Sequence, residues 1–146
     1  MDTLKITSSV FQHNGNIPKK YTCQGDDFNP PLSIAGAPSA TKSMALIMDD
    51  PDAPGGTWVH WVVWNIPPTT SIEENTIPGT QGFNDFKRIN YGGPCPPTGT
   101  HRYFFKVYSL DTRLELPGRI TKSQLEEAIE NHILAFGELI GLYKKN

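Results

Sequence analysis

The chain has 146 residues, among them 13 prolines and 13 glycines, and its formal charge is −2. Long helices tolerate neither Pro nor Gly, so the composition argues against a helical bundle or a coiled coil. No basic stripe supports binding to nucleic acid, and no run of about 18 apolar residues supports a membrane span. A chain of this length typically forms one domain, and we expect a single domain over residues 1–146.

The N-terminal residues and the two cysteines bear on the cellular location. An early acid and the lack of an apolar block are unlike a secretory signal, so the cytoplasm is the default expectation. Cys23 and Cys95 lie 72 positions apart and match no metal-binding spacing. Two reduced thiols are the expectation for a reducing compartment. A disulfide stays open as the alternative, because both cysteines lie in Pro/Gly-rich loops that could meet.

Three segments free of Pro and Gly are predicted to be strands. Residues 43–49 form an apolar run that ends in acids, and residues 58–64 and 101–110 are rich in aromatic and β-branched side chains. Turn-rich stretches at 24–38, 51–56, 67–82 and 90–99 separate them. The pattern predicts a mainly β fold of two packed antiparallel sheets, without indicating the strand order.

One helix is predicted near residues 122–133. Thr121 can cap it, and Gln124 stands three residues later, which is a capping-box arrangement. Leu125 and Ile129 then follow helical spacing. Beyond them the pattern is ambiguous, because residues 133–142 fit either a continued helix or a last strand.

Alternation of side chains along the strands groups polar residues with apolar ones. The predicted faces bring together Asp50, His60, His101 and Tyr103 at the loop-facing strand ends. An apolar pocket with a few convergent polar groups is typical of a small-ligand site. The face sets are residues 44, 46, 48 and 50; residues 58, 60, 62 and 64; and residues 101, 103, 105 and 107.

Each of these residues also has a structural interpretation. A strand histidine is more often a satisfied structural group than a ligand-binding one, and Asp50 and Asp52 could cap a turn. Tyr103 could be a core aromatic residue with a surface hydroxyl. Trp58, Trp61 and Trp64 are expected to pack in the core or at an interface.

The loop at 91–99 combines two glycines with three prolines. Gly92 and Gly93 permit close backbone approach and positive φ, and consecutive amides can form an anion-binding nest. The prolines would hold such a loop rigid. A rigid connector is the alternative. No Walker lysine or Rossmann fingerprint supports nucleotide hydrolysis.

Several motifs together resemble the phosphatidylethanolamine-binding protein family, and within it the short bacterial and archaeal branch called Raf kinase inhibitor-like. The likeness covers about residues 10–144. The motifs are DPDAP at 50–54, WVHW at 58–61, GPCPPTGTHRY at 93–103, and CQGD at 23–26 followed by NPPL at 29–32.

The resemblance implies two antiparallel sheets with Greek-key connections and a peripheral helix. It implies an anion pocket at one end of the larger sheet, which in the family takes phosphate, acetate, cacodylate or the phosphoryl head of a lipid. Asp52 and Arg102 would brace the loops from behind. The ligand-binding positions carried over are Asp50, Pro54, Trp58, His60, Pro97, His101 and Tyr103, to which the loop amides of Gly92 and Gly93 are added.

The chain also departs from longer members of the family. They carry a pair of histidines where this chain has Val59-His60, and they extend into a further helix where this sequence stops at Lys144-Lys145-Asn146. A more open pocket is therefore expected, and lipid-tail or kinase binding tied to that extension is in doubt.

The function predicted is non-catalytic binding of a small phosphate- or carboxylate-bearing ligand, with a regulatory role. One alternative is a protein-interaction regulator that inhibits a kinase or a protease. A lower alternative is a metal-dependent or acid–base hydrolase. No catalytic residue, metal or cofactor is assigned. A homodimer is expected, both from the tryptophan-rich strand and from the resemblance.

Overall fold

The structure is a computed structural model that describes all 146 residues, and it contains ten strands and one α-helix. The helix α1 spans Lys122–Ile129, and a short 3₁₀ turn spans Lys19–Tyr21. The strands are β1 (Asp2–Thr3), β2 (Lys5–Thr7), β3 (Gly15–Asn16), β4 (Leu32–Ala35), β5 (Ser43–Asp50), β6 (Trp58–Ile66), β7 (Ser71–Ile72), β8 (Thr80–Gln81), β9 (His101–Leu110) and β10 (Ile133–Tyr143).

A seven-stranded sheet forms the centre of the fold, in the order β1-β10-β9-β5-β6-β8, with β3 also pairing with β10. The four long strands are antiparallel, and only the short edge strands β1 and β3 pair in parallel. A three-stranded antiparallel sheet, β2-β4-β7, packs against it. The mainly β class, the two sheets and the single helix confirm the sequence prediction.

The central strand β5 is buried along its whole length. One face packs against the small sheet through Met44, Leu46 and Met48, and the other faces α1 through Ala45 and Ile47. Burial on both faces explains why this strand is a continuous apolar run rather than an alternating one.

The helix α1 begins where the capping box predicts. Thr121 Oγ1 accepts from the Gln124 amide at 3.2 Å, and Gln124 Oε1 accepts from the Thr121 amide at 2.9 Å. The helix ends at Ile129, earlier than predicted, and the ambiguous segment is strand β10. With eight residues, the only α-helix of the chain is too short to cross a bilayer, which takes about 20.

A bulge in β6 changes which residues share a face. Trp61 pairs with Met48 and Val59 with Asp49, so β6 advances by two residues where β5 advances by one. His60 is the inserted residue, and an inserted residue reverses the alternation beyond it. The prediction that residues 58, 60, 62 and 64 share a face is therefore wrong for Val62 and Trp64, which pack on the α1 side.

The tryptophan-rich strand offers little surface to a second copy of the chain. Trp61 and Trp64 are each 1 % exposed and pack in the two cores on opposite faces of the sheet. Of the three tryptophans, only Trp58, which is 39 % exposed, is accessible to a partner.

Candidate functional site

A cavity of about 220 Å³ lies at the end of the large sheet, where β5 ends and β6 and β9 begin. Antiparallel pairing produces this convergence, since the end of one strand lies beside the start of its neighbours; Asp50 pairs with Trp58, and Asp49 with Phe104. The lining residues are Asp50, Ala53, Pro54, Trp58, His60, Phe86, Cys95, Pro96, Pro97, His101 and Tyr103.

Seven of the nine residues predicted to bind ligand line this cavity. They come from both strands and loops and include every predicted side chain with a titratable group. The seven are Asp50, Pro54, Trp58, His60, Pro97, His101 and Tyr103. Whether they bind a ligand stays a prediction at this point.

Asp50 is buried, and both of its carboxylate oxygens accept hydrogen bonds. Oδ2 accepts from Nδ1 of His101 at 2.6 Å, and Oδ1 accepts from the backbone amide of Asp52 at 2.8 Å. The carboxylate thus holds the imidazole in place and closes the turn at 50–52. This is the geometry expected of an acid that orients a neighbouring group rather than contacting an anion itself.

His60 is fixed from the other side of the cavity. Its Nδ1 donates to the carbonyl oxygen of Gly92 at 2.6 Å, and its ring packs edge-on against Tyr103 and Phe86. Burial lowers the pKa of the His60 imidazole, against the opposing effects of the Gly92 carbonyl and the Asp50 carboxylate.

The hydroxyl of Tyr103 is buried in the cavity wall and has no hydrogen-bond partner within the protein. Burial, and then the nearby Asp50 carboxylate, raise the pKa of this hydroxyl far above its usual range, so it keeps its proton. A buried polar group without a partner is uncommon and costs stability. Its position in a cavity wall indicates that a partner can come from outside the chain.

Gly92 and Gly93 do not present their amides to the cavity. The Gly92 amide donates to the His60 carbonyl at 3.0 Å, and the Gly93 amide donates to Asp27 Oδ1 at 2.8 Å. Neither residue has positive φ. The glycines are needed for close packing instead, since a Cβ on Gly92 would lie 2.5 Å from the Phe86 ring and one on Gly93 would lie 2.3 Å from Asp27 Oδ1. The predicted nest of free amides is therefore wrong.

Cys23 and Cys95 form a disulfide, with their Cα atoms 5.5 Å apart. The expectation of two reduced thiols is wrong, and the open alternative, in which the two loops meet, is what the structure has. Cys95 lines the cavity and Cys23 is exposed at the surface. The Cys23 amide also donates to the Pro94 carbonyl at 3.1 Å. The bond joins the 91–97 wall to the N-terminal loop.

Asp52 and Arg102 lie beside the cavity without lining it. Arg102 donates to the Asp52 carboxylate from Nε at 3.0 Å, from Nη2 at 2.9 Å and from its backbone amide at 2.9 Å. Hydrogen bonds from Arg102 lower the pKa of the Asp52 carboxyl. The pair joins the 50–54 turn to the start of β9.

Four lining residues were missed by the sequence reasoning: Ala53, Phe86, Cys95 and Pro96. Ala53 and Pro96 lie next to predicted residues, and Cys95 lies between the predicted Gly93 and Pro97, so including every residue of these two loops would have found all three. Phe86 lies in an irregular segment at 82–90, and no periodicity marks its direction. Its ring fills the wall between Trp58 and His60.

Comparison with known proteins shows the family of this chain. The family model of the phosphatidylethanolamine-binding protein matches residues 7–144. The chain belongs to the phosphatidylethanolamine-binding protein family. A crystal structure of a family homologue from Chlamydia trachomatis has a TM-score of 0.95 and 42 % identity, with all of both chains covered. Escherichia coli YbcL, a member of the mammalian family, has a TM-score of 0.89 and 30 % identity over 98 % of this chain and 99 % of its own.

Archaeal members of the family are similar in sequence. A UPF0098 protein of Pyrococcus horikoshii is 51 % identical over 98 % of this chain and 77 % of its own length. A UPF0098 protein of Methanothermobacter thermautotrophicus is 47 % identical over 97 % of this chain and 99 % of its own.

Proposed function

We propose that this protein binds a small anionic ligand, bearing phosphate or carboxylate, in the cavity at the end of the large sheet, as a non-catalytic and regulatory module. The observation that carries the proposal is the buried Tyr103 hydroxyl, which forms no hydrogen bond inside the protein and belongs to a residue that lines the cavity. An oxygen of an anion would accept its proton and remove the cost of leaving it unpaired.

The rest of the cavity supports the same class of ligand. Its volume of about 220 Å³ lies below the roughly 300–1,000 Å³ of pockets for drug-sized molecules, so a head group fits better than a large cofactor. His60 and His101 are each held by a hydrogen bond through Nδ1, to the Gly92 carbonyl and to the Asp50 carboxylate. Asp50 does not oppose an anion directly, since both of its oxygens are occupied.

The test is the change Tyr103→Phe, which removes only the hydroxyl oxygen. Isothermal titration calorimetry with inorganic phosphate should show about a tenfold or greater loss of affinity, because hydrogen bonds to charged groups contribute about 1.5–3 kcal/mol. Stability should not fall, since the hydroxyl has no partner to lose. Tyr108→Phe is the matched control on the outer side of the same strand. Unchanged phosphate affinity in Tyr103→Phe would contradict the proposal that the Tyr103 hydroxyl donates to the bound anion.

Inhibition of a kinase or protease is a second candidate, favoured by one observation. Trp58 is 39 % exposed on the cavity wall, and exposed tryptophans beside a pocket are common anchors of protein interfaces. A homodimer would use the same residue. Trp58→Ala should disrupt the partner complex or the dimer, which light scattering measures.

Hydrolysis is less well supported. The Asp50–His101 pair resembles a base with its orienting acid, yet a hydrolase of that type needs a nucleophile beside the imidazole. Cys95, the cysteine in the wall, is held in the disulfide. Ser109 is eight residues along β9 from His101, about 26 Å away at the rise of a strand. Phosphatase and esterase assays on the purified protein test this candidate.

We keep the cytoplasm as the proposed location, although disulfides usually indicate an oxidising compartment. Cell fractionation with an antibody to the protein would decide it.

A further inference from the structure

The disulfide joins two loops that hydrogen bonds already hold together. The Tyr91 hydroxyl and the Gly93 amide each donate to an oxygen of the 21–27 loop, at 2.7 and 2.8 Å. The Cys23 amide donates to the Pro94 carbonyl at 3.1 Å. Because these three bonds do not involve sulfur, the chain up to Pro94 stays in place whether or not the two sulfur atoms are bonded.

The segment that follows, residues 95–100, has no comparable support, and we call it the wall segment. No main-chain hydrogen bond joins it to another part of the protein, and Pro96 is its only buried residue. Gly99 has a φ of +70°, and no atom lies within 4 Å of the position that a Cβ would take there. Cys95, Pro96 and Pro97 nevertheless line the cavity. The disulfide is therefore what ties this part of the cavity wall to the rest of the protein.

The two cysteines differ in their accessibility to an incoming thiol. Cys23 is exposed at the surface, whereas Cys95 is half-buried in the cavity wall. Exposed disulfides are the ones that exchange with other thiols, because the attacking sulfur must reach the bond. A domain of 146 residues with cores on both faces of its large sheet is large enough to fold without a disulfide. The bond is thus available for exchange in the folded chain.

We propose that the Cys23–Cys95 disulfide is a redox switch: a protein dithiol of the Cys-X-X-Cys class reduces it in the folded chain and so releases the wall segment. The compartment proposed above is reducing, and disulfides in such compartments typically act in catalysis or redox sensing. Release of the wall segment weakens ligand binding in the cavity. The effect on ligand binding rests on the proposed function, whereas the exchange at the bond does not.

The exchange takes place in two steps. A thiolate of the dithiol attacks Sγ of Cys23 and forms a mixed disulfide, while the original bond breaks and Cys95 leaves as a thiolate with the bonding electron pair. The second thiolate of the dithiol then attacks its partner sulfur in the mixed disulfide and displaces the Cys23 thiolate. The two cysteines take up the two protons that the dithiol loses. The dithiol is oxidised to a disulfide, and the Cys23–Cys95 bond is reduced to two thiols.

Reduction of the folded wild-type chain tests the exchange. The oxidised protein is incubated without reductant other than thioredoxin, which its reductase and NADPH keep reduced, and free thiols are counted by alkylation and intact mass. We expect both cysteines to become alkylated, at a rate insensitive to urea concentrations below the unfolding transition. A rate that rises with urea as steeply as the equilibrium constant for unfolding would show that only the unfolded chain is reduced. That result, or no reduction at all, would overturn the proposal.

The residue that thioredoxin attacks can be identified directly. Thioredoxin that lacks its second cysteine cannot complete the exchange, so the mixed disulfide accumulates. We expect peptide mass mapping to find thioredoxin bound to Cys23, the exposed partner. An adduct found on Cys95 instead would overturn the assignment of Cys23 as the point of attack.

Nuclear magnetic resonance of the same protein tests the release of the wall segment. The heteronuclear Overhauser effect of the amides of residues 98–100 should fall on reduction, because these amides gain fast motion. The Gly93 amide, which keeps its hydrogen bond to Asp27, is the internal control and should not change. The double change Cys23→Ser with Cys95→Ser should show the reduced pattern with and without reductant. Unchanged Overhauser effects in the reduced, folded chain would overturn the proposed release.

Phosphate binding separates the switch from the proposed function. Calorimetric titration should give a dissociation constant about twofold to tenfold larger for the reduced chain than for the oxidised chain, since the wall segment must then be ordered on binding. Equal phosphate affinities in the two forms would overturn control of the cavity by the disulfide. If neither form binds phosphate, the proposed function fails, and the thioredoxin and resonance measurements still decide whether the bond is a switch.

Discussion

Individual residues at the site are held in place by the protein itself, and each of the two imidazoles is fixed through one ring nitrogen. His60 and His101 are held through Nδ1, and Asp50 is held through both oxygens. Tyr103 is fixed by packing alone. Rings positioned in this way need little rearrangement when a ligand binds, which reduces the entropy lost on binding.

Burial of His60 predicts a pH dependence of stability. Its pKa is lower in the folded chain than in the unfolded chain, so the unfolded state binds more protons as the pH falls. The contribution of a neutral His60 to the free energy of unfolding is fully present above about pH 6.5, the pKa of histidine in the unfolded chain. It is lost as the pH falls from there towards the lower pKa that His60 has in the folded chain. The loss is at most about 1.4 kcal/mol for each pH unit.

Urea denaturation at about pH 7.5 and 5.5 measures this effect, and His60→Gln should lose less stability between the two values than the wild type. His132→Gln is the control, since its ring is on the surface and outside the cavity. If the wild type and His60→Gln lose the same free energy of unfolding between the two pH values, His60 is not held in its neutral form by burial.

The strand ends were predictable from the sequence because they depend on local pattern. Asp50, His60 and His101 each stand beside a turn signal and an apolar run, and antiparallel pairing brings such ends together. Phe86 was not predictable, because its loop has no period. Gly92 and Gly93 were misread, because the sequence cannot show that Phe86 and Asp27 occupy the space a nest would need.

At the level of elements, the inserted residue in β6 is the clearest case where pattern reasoning fails. Two-residue periodicity assigns Trp61 and Trp64 to faces opposite to the ones they occupy. A bulge depends on pairing with β5, which lies outside any local window of sequence. The capping box of α1, by contrast, involves residues only three apart and was predicted correctly.

The disulfide joins two elements whose separation in sequence is 72 residues, so removing it should lower stability. The double change Cys23→Ser with Cys95→Ser should reduce the free energy of unfolding by about 2–4 kcal/mol, because a long loop is released in the unfolded chain. Phosphate affinity should fall too, since Cys95 is part of the wall. Urea denaturation and calorimetry measure the two effects.

A reducing agent added to the wild type is the control for this pair of changes, and it should reproduce the loss of stability without altering any side-chain volume. Unfolding midpoints that coincide with and without reductant would contradict the stabilising role of the bond.

The whole molecule is organised around one large sheet with cores on both faces. We predict that residues 1–146 unfold as one domain, so that tryptophan fluorescence and far-ultraviolet circular dichroism report the same transition. Trp61 and Trp64 lie on opposite faces of the sheet, which makes fluorescence sensitive to both cores. Two separate transitions would contradict a single domain.

Phosphate should move this single unfolding transition to a higher temperature, because a ligand that binds only the folded state stabilises the whole domain. At a concentration about 100 times its dissociation constant, phosphate should add about 2.7 kcal/mol. Thermal denaturation with phosphate and with an equal concentration of sodium chloride measures the shift. Equal midpoints in the two salts would exclude specific binding.

The central claim is that the two imidazoles and their surroundings form an anion site, and calorimetric titration of phosphate into the double variant His60→Ala with His101→Ala tests it most directly. The control is His13→Ala with His132→Ala, which removes the two histidines outside the cavity. We predict saturable 1:1 binding in the wild type and in the control, and none in the folded cavity variant. Wild-type affinity retained by the cavity variant would contradict the claim.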